Sequence, residues 1–262
     1  MEFVSGSAAC RIGKKLVISD LHLALEFELQ EKGFLVNPDS ARTARPIRAL
    51  MRKARCSELW VLGDFKHDSR HYTHREQDVV KDFVNALGFP VTVVKGNHDS
   101  LLEKSNVTVI PAHGTIIKEK NVSYGLHHGH TWPAPELFAA DWLLMGNNHP
   151  TVELRDDNRF RWIEKAWIIG ELKVGKRDAE QRKLAKEHGV VDGQKALVFP
   201  AFSELYLGTS FNVAPQSRLL GPLFKNGLFD VDGSQAILLN GVRAGRITDL
   251  RLKPSRRSRH LN

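Results

Sequence analysis

Three strand-length apolar runs, KKLVISD (14–20), ELWVLGD (58–64) and PVTVVKGN (90–97), each empty into a polar cluster, with helical stretches between them. Short branched apolar runs bounded by turn signals read as strands buried on both faces, and strands alternating with helices define an α/β architecture. The first helix is expected over Ser40 to Ala54, where Ile47, Leu50 and Met51 recur at helical spacing and Pro46 sits awkwardly near the start. The second carries Val79, Val80, Phe83, Val84 and Leu87 and closes at Gly88 and Pro90. In open α/β sheets ligands bind beyond the carboxyl ends of the strands, where residues far apart in sequence converge.

Further runs at 107–119, 122–130 and 140–150 also read as strands, although Ala139 to Leu144 equally suits the start of a helix. RFRWIEKAWII (159–169) is a further strand, and the charged segment from Glu171 to His188 reads as a solvated loop or helix without chemistry of its own. KALVFP, AILLN and GRITDLRL are strand-like and are expected to complete a second sheet. No internal repeat or linker divides the chain, so a single domain is expected over residues 1–252, followed by a basic, disordered tail over 253–262.

Composition excludes several classes. At 42% hydrophobic and 26% charged residues, the chain is neither disordered, collagen-like nor a coiled coil. Its two cysteines, Cys10 and Cys56, form no Cys-x-x-Cys pair, which argues against a disulfide scaffold or a thiolate zinc site and fits a reducing cytoplasm. No signal-peptide pattern opens the sequence and no apolar run reaches membrane-spanning length, so neither export nor membrane insertion is expected. Thirty-eight Lys and Arg against thirty Asp and Glu leave a net charge of +8, suited to acidic partners such as phosphate esters or nucleic acid.

Five polar clusters carry the chemistry: Asp20-Leu21-His22, Gly63-Asp64, Gly96-Asn97-His98-Asp99, His128-Gly129-His130 and Gly146-Asn147-Asn148-His149. Any one of them reads as an ordinary turn or helix cap. Five in succession, supplying histidine or carboxylate each time, read as a convergent site, and imidazole with carboxylate suits Mn, Fe, Zn or Ni.

In order and in strand-end context these clusters resemble the calcineurin-like metallophosphoesterases, with their pattern D-x-H, G-D, G-N-H-[DE], a lone His and G-H-x-H. The ordering covers residues 14 to 150, and within the family SDLHLALE, LGDFKHD, GNHDS, HHGHTWP and GNNHP look most like the archaeal phosphoesterases related to the nuclease SbcD. PAFSELYLGTSFN (200–212) is similar to the C-terminal part of that subgroup.

The resemblance implies a four-layer α-β-β-α sandwich of two mixed sheets with a site for two divalent metal ions, Mn²⁺ first, with Mg²⁺, Fe, Zn or Ni as alternatives. It implies that Asp20, His22 and His149 hold the first metal, that Asp64 bridges, and that Asn97 and His128 hold the second. Where the family has a further histidine on the second metal, this chain has Asn147, whose amide oxygen is a poorer donor to a transition metal. Two such ions clamp the attacking and leaving oxygens of an in-line displacement and acidify water to hydroxide.

His98 is then expected to face the substrate as general acid or phosphoryl stabiliser. His130 is expected behind a ligand or against substrate, and Lys66 against a phosphate. His127 is expected on the opposite strand face in a structural role. His67, His71 and His74 fall in a loop where solvent exposure is the default.

The second cluster lacks the Asp-Arg-Gly of the protein Ser/Thr phosphatases, so a phosphodiesterase or nuclease on DNA or RNA is the first reading. A small-molecule phosphodiesterase is the alternative, and a binding scaffold with a degraded second metal site is the reading from another class.

Overall fold

The computed structural model describes residues 1–156, 158, 160–175, 178–206 and 208–252; the tail expected over 253–262 lies outside the described residues. Six strands build the first sheet in chain order: β1 (Glu2–Phe3), β2 (Cys10–Ile12), β3 (Lys15–Ile18), β4 (Glu58–Val61), β5 (Val91–Val94) and β6 (Thr108–Ile110). β1 to β3 are antiparallel and β3 to β6 are parallel, with Val17 opposite Trp60 and Val61 opposite Val93.

The second sheet comprises β7 (Thr115–Glu119), β8 (Val122–Leu126), β9 (Trp142–Met145), β10 (Pro150–Arg155), β11 (Arg161–Glu171), β12 (Lys195–Val198), β13 (Thr209–Ser210), β14 (Gln235–Leu238) and β15 (Arg243–Arg246). They run in the order β13-β10-β11-β12-β9-β8-β7, with β14 joining β11 to β15. Both sheets are mixed, as expected.

Helices α1 (Leu25–Glu31), α2 (Ser40–Lys53) and α3 (His74–Leu87) follow strands of the first sheet, and α4 (Ala179–Glu187), α5 (Pro222–Lys225) and α6 (Ile247–Leu250) belong to the second half. The Asp39 side chain caps α2, and Thr73 with Glu76 forms a reciprocal capping box on α3, which ends where Gly88 turns left-handed at φ 69°.

Strand periodicity explains the layering. Leu16, Ile18, Leu59, Val61, Val91 and Val93 pack with Ile47, Met51, Val80 and Phe83 of the helices, whereas the intervening Val17, Trp60, Leu62 and Val94 turn to the other face. There they meet Leu126, Leu144, Trp167, Leu197 and Phe199 of the second sheet, whose alternate residues Leu143, Met145, Ala196 and Val198 pack outward against Ala185, Leu223 and Phe224. With apolar neighbours on both faces, these strands cannot show an apolar-polar alternation. Three apolar interfaces therefore separate four layers.

Two expectations need correction. GRITDLRL is not a continuous strand: β15 ends at Arg246 and the chain turns into α6, with Ile247 N–H donating to Ser234 C=O and a register shift near Gly245. The 140–150 run is a strand only from Trp142, after a 3-10 turn over Pro135–Ala139. The charged segment takes the helical one of its two expected readings over α4, capped by Asp178. Among the described residues no helix is long and apolar enough to cross a membrane.

Candidate metal centre

All five clusters lie just beyond the carboxyl ends of parallel strands. Asp20 and His22 follow β3, Asp64 follows β4, Gly96 to Asp99 follow β5, His128 follows β8, and Gly146 to His149 follow β9. The two sheets thus present their polar clusters to each other across one seam. The approach is close enough to demand glycine: a Cβ on Gly63, at φ 79°, would overlap the His128 ring, and one on Gly146 would overlap the Ser19 hydroxyl and crowd Asp20.

Nine described residues other than glycine have positive φ, and five of them are Asp20, His22, Asp64, Asn147 and His149. Such conformations cost about 1–3 kcal/mol each and persist only where surrounding structure imposes them. Here the constraint is visible: Asp20 N–H donates to Gly63 C=O, His22 N–H to Asp64 C=O, and Asn147 N–H lies 3.2 Å from both Asp20 carboxylate oxygens.

One ligand atom from each of Asp20, His22, Asp64 and His149 falls within 4.8 Å of the others. The Nε2 atoms of His22 and His149 are buried without a hydrogen-bond partner, although His149 Nε2 is only 3.0 Å from Asp20 Oδ1. Donor atoms this near that do not bond one another are aimed at a common point, and a buried orphaned nitrogen is costly unless a cation meets it. The residues fit a divalent ion, in a set of two carboxylates and two imidazoles.

Asp64 extends the site to its other side. Its Oδ2 is 3.9 Å from His22 Nε2 and 3.3 Å from His128 Nε2, while its Oδ1 accepts from His98 N–H at 2.9 Å. His128 Nδ1 donates to Leu62 C=O at 2.6 Å, which fixes the tautomer and turns Nε2 toward Asp64 and toward Asn97 Oδ1 at 3.2 Å. Asn147 meets the centre through its backbone N–H on Asp20, on the side of the first set.

Electrostatics agree with the geometry. Burial opposes ionisation of Asp20 and Asp64, yet His149 and His128 hold the first, and His128 and His22 the second, below the usual carboxylate range. Burial disfavours charge on His128, but Asp64 and Asp20 overcome it and raise its pKa to about 10. Burial lowers His22 to about 3, and burial followed by the neighbouring His128 lowers His130 to about 4.

The remaining predicted residues divide. His98 lies at the rim with its Nε2 4.0 Å from Asp64 Oδ2, and its Nδ1 is engaged by His67 C=O. His130 has its ring 5.2 Å from that of His128 and a buried, unpartnered Nδ1. His127 is fully buried beside the Thr131 hydroxyl. Lys66 is not placed to meet substrate: it is fully buried, and its ammonium donates to the C=O of Asp68 and of His71, at 2.8 Å for the latter. His67 reverses its expectation, being buried with Nδ1 3.4 Å from His22 Nδ1, while His71 is exposed as expected.

Tyr206 escaped the sequence reading, and Asp99 was named in the third cluster without a role. Tyr206 stacks on the His22 ring at 4.3 Å and 17° and meets His149 edge-on; nothing in SELYLG marks it. Asp99 is fully buried and accepts from the backbone N–H groups of Phe65, Lys66 and Gly96, tying the second cluster to the third. Burial and the nearby Asp64 raise its pKa to about 6.

Residues 13–200 match the calcineurin-like phosphoesterase family, and the chain belongs to that family. No curated protein sequence matches it. Among solved structures it is similar to a nuclease, MPE, of Pseudomonas putida (17% identity, 87% of this chain and 85% of that one, TM-score 0.48). It is also similar to the phosphoesterase Yfce of E. coli (16% identity, 88% and 97%, TM-score 0.40) and to Vps29 of Entamoeba histolytica with bound zinc (20% identity, 57% and 71%, TM-score 0.28).

Proposed function

We propose that the protein is a metal-dependent phosphodiesterase of the kind its motifs resemble, the SbcD-related enzymes, and that its substrate is nucleic acid. In this reading Asp20, His22, Asp64 and His149 hold one divalent ion, Mn²⁺ first among the candidates, and Asp64, Asn97, His128 and Asn147 hold a second. The observation that carries it is the position of the Asp64 carboxylate, buried between His22 and His128 with Oδ2 facing both imidazoles. Only a carboxylate so placed can serve two cations side by side.

The ions would supply positive charge to a phosphate and acidify water for attack. The chain supplies the rest. Asp20 and Asp64 are the only formal charges among the seven ligands, so the loaded site keeps net positive charge for a phosphodiester anion. His98, whose Nδ1–H is committed to His67 C=O, would in its imidazolium form offer the Nε2 proton at the rim to the leaving oxygen. The net charge of +8 favours a polyanion as the larger partner.

Hydrolysis of bis-p-nitrophenyl phosphate and of the monoester, with and without Mn²⁺, tests the reading. Metal-dependent turnover of the diester is expected, with its loss in Asp64→Ala. Undiminished turnover by that variant in saturating metal would sink the two-metal reading, monoester preference would assign a phosphatase, and absence of both activities would leave a binding scaffold.

A further inference from the structure

We infer that Glu28, on α1 and outside all five motif clusters, is a positioning residue for the metal centre, acting through His67 on the ligand His22; this rests on the metal-binding reading above. The argument is one of tautomers. His22 presents an unpartnered, buried Nε2 to the carboxylates, so its lone pair is there and its proton is on Nδ1. That Nδ1 is 3.4 Å from His67 Nδ1, which must therefore be the acceptor. His67 then carries its own proton on Nε2, and Nε2 is 2.5 Å from Glu28 Oε2. This assignment sets a donor against an acceptor at each contact. A doubly protonated His67 would instead set two N–H groups against each other.

The consequence is a line of groups from solvent to ligand: Glu28 carboxylate, His67, His22. A carboxylate accepting from one ring nitrogen makes the other a better acceptor, and that in turn makes His22 Nε2 a stronger donor to a cation. The line also orients the ring. His22 is stacked by Tyr206 on one face and met edge-on by His98 and His149 at 5.1 and 5.4 Å, so the hydrogen bond at Nδ1 fixes its remaining rotation. Glu28 is part-exposed and also pairs with Lys32 one turn along, so it can be replaced without opening a core.

The same three imidazoles, His22, His67 and His98, lie close enough to hold a cation themselves. The 3.4 Å contact between His22 Nδ1 and His67 Nδ1 argues for the relay, because it suits a hydrogen bond between those atoms and leaves no room for an ion between them.

Calorimetric titration with Mn²⁺ and the visible spectrum of the Co²⁺-loaded protein test the inference in Glu28→Ala, Glu28→Gln, Lys32→Ala and His67→Ala. Glu28→Ala is expected to weaken the tighter Mn²⁺ site by about 10-fold and to shift the Co²⁺ bands. Glu28→Gln, which still accepts a hydrogen bond, should lose less, and Lys32→Ala should match the unmodified protein. Unchanged affinity and spectrum in Glu28→Ala overturn the inference, as does loss of one whole ion from the stoichiometry in His67→Ala, which would make the three imidazoles a site. Failure of the unmodified protein to bind Mn²⁺ or Co²⁺ would overturn the metal reading itself.

Discussion

His98 touches Asp64 through its backbone and faces it through its ring, so two separate jobs rest on one residue. The backbone N–H helps hold the carboxylate in place and survives any substitution. The ring does not. His98→Ala is therefore expected to retain Mn²⁺ binding and to lower kcat by about 10²–10⁴-fold on a poor leaving group, and by less on p-nitrophenolate, which needs little protonation. Titration calorimetry beside steady-state rates checks it, and a variant that loses metal would make the ring a structural support. At this scale the convergence of Asp20, His22, Asp64 and His149 was legible because these residues fall in compact motifs. His67 was not, because its burial depends on Leu23 bridging Lys66 and on Glu28 arriving from α1.

Among the elements, the helices that flank the first sheet differ in how well their sequences suit them. Pro46 lies inside α2, where it removes one backbone hydrogen bond, and it is exposed. Thr73 closes a capping box on α3. Pro46→Ala is expected to stabilise the protein, by at most about 3 kcal/mol, and Thr73→Ala to destabilise it by about 1 kcal/mol. Urea unfolding measures both, and a loss of stability in Pro46→Ala would show that the ring itself supports the helix. β3, β4 and β5 were legible because burial on both faces makes them continuously apolar. β10 was not read, because TVELR alternates and opens on a proline that looks like the end of a turn. α6 was misread because its residues suit a strand, and the hydrogen bonds of Ile247 and Thr248 N–H to Ser234 and Asp232 C=O, outside the local pattern, select the helical turn.

On the scale of the whole molecule, the three apolar interfaces and the mixed sheets follow from strand patterns, but the order of the second sheet does not. β12 inserts between β9 and β11 although it follows both in the chain, and only long-range pairing decides that. The proposed ligands divide along the same line, with Asp20, His22, Asp64 and Asn97 carried by the first sheet and His128, Asn147 and His149 by the second.

Sheet membership changes only once along the described chain, between Ile110 of β6 and Thr115 of β7. A break at that point would yield two single-sheet fragments, each with an open apolar face and an incomplete ligand set. Residues 1–112 and 113–262, produced separately, are expected to be inactive alone and to regain metal-dependent diester hydrolysis when they fold together, read by the same chromogenic assay. Activity in the first fragment by itself would show that the histidines of the second are dispensable. The protein is in this sense a natural candidate for a split reporter, in which reassembly and the completion of a catalytic centre are one event.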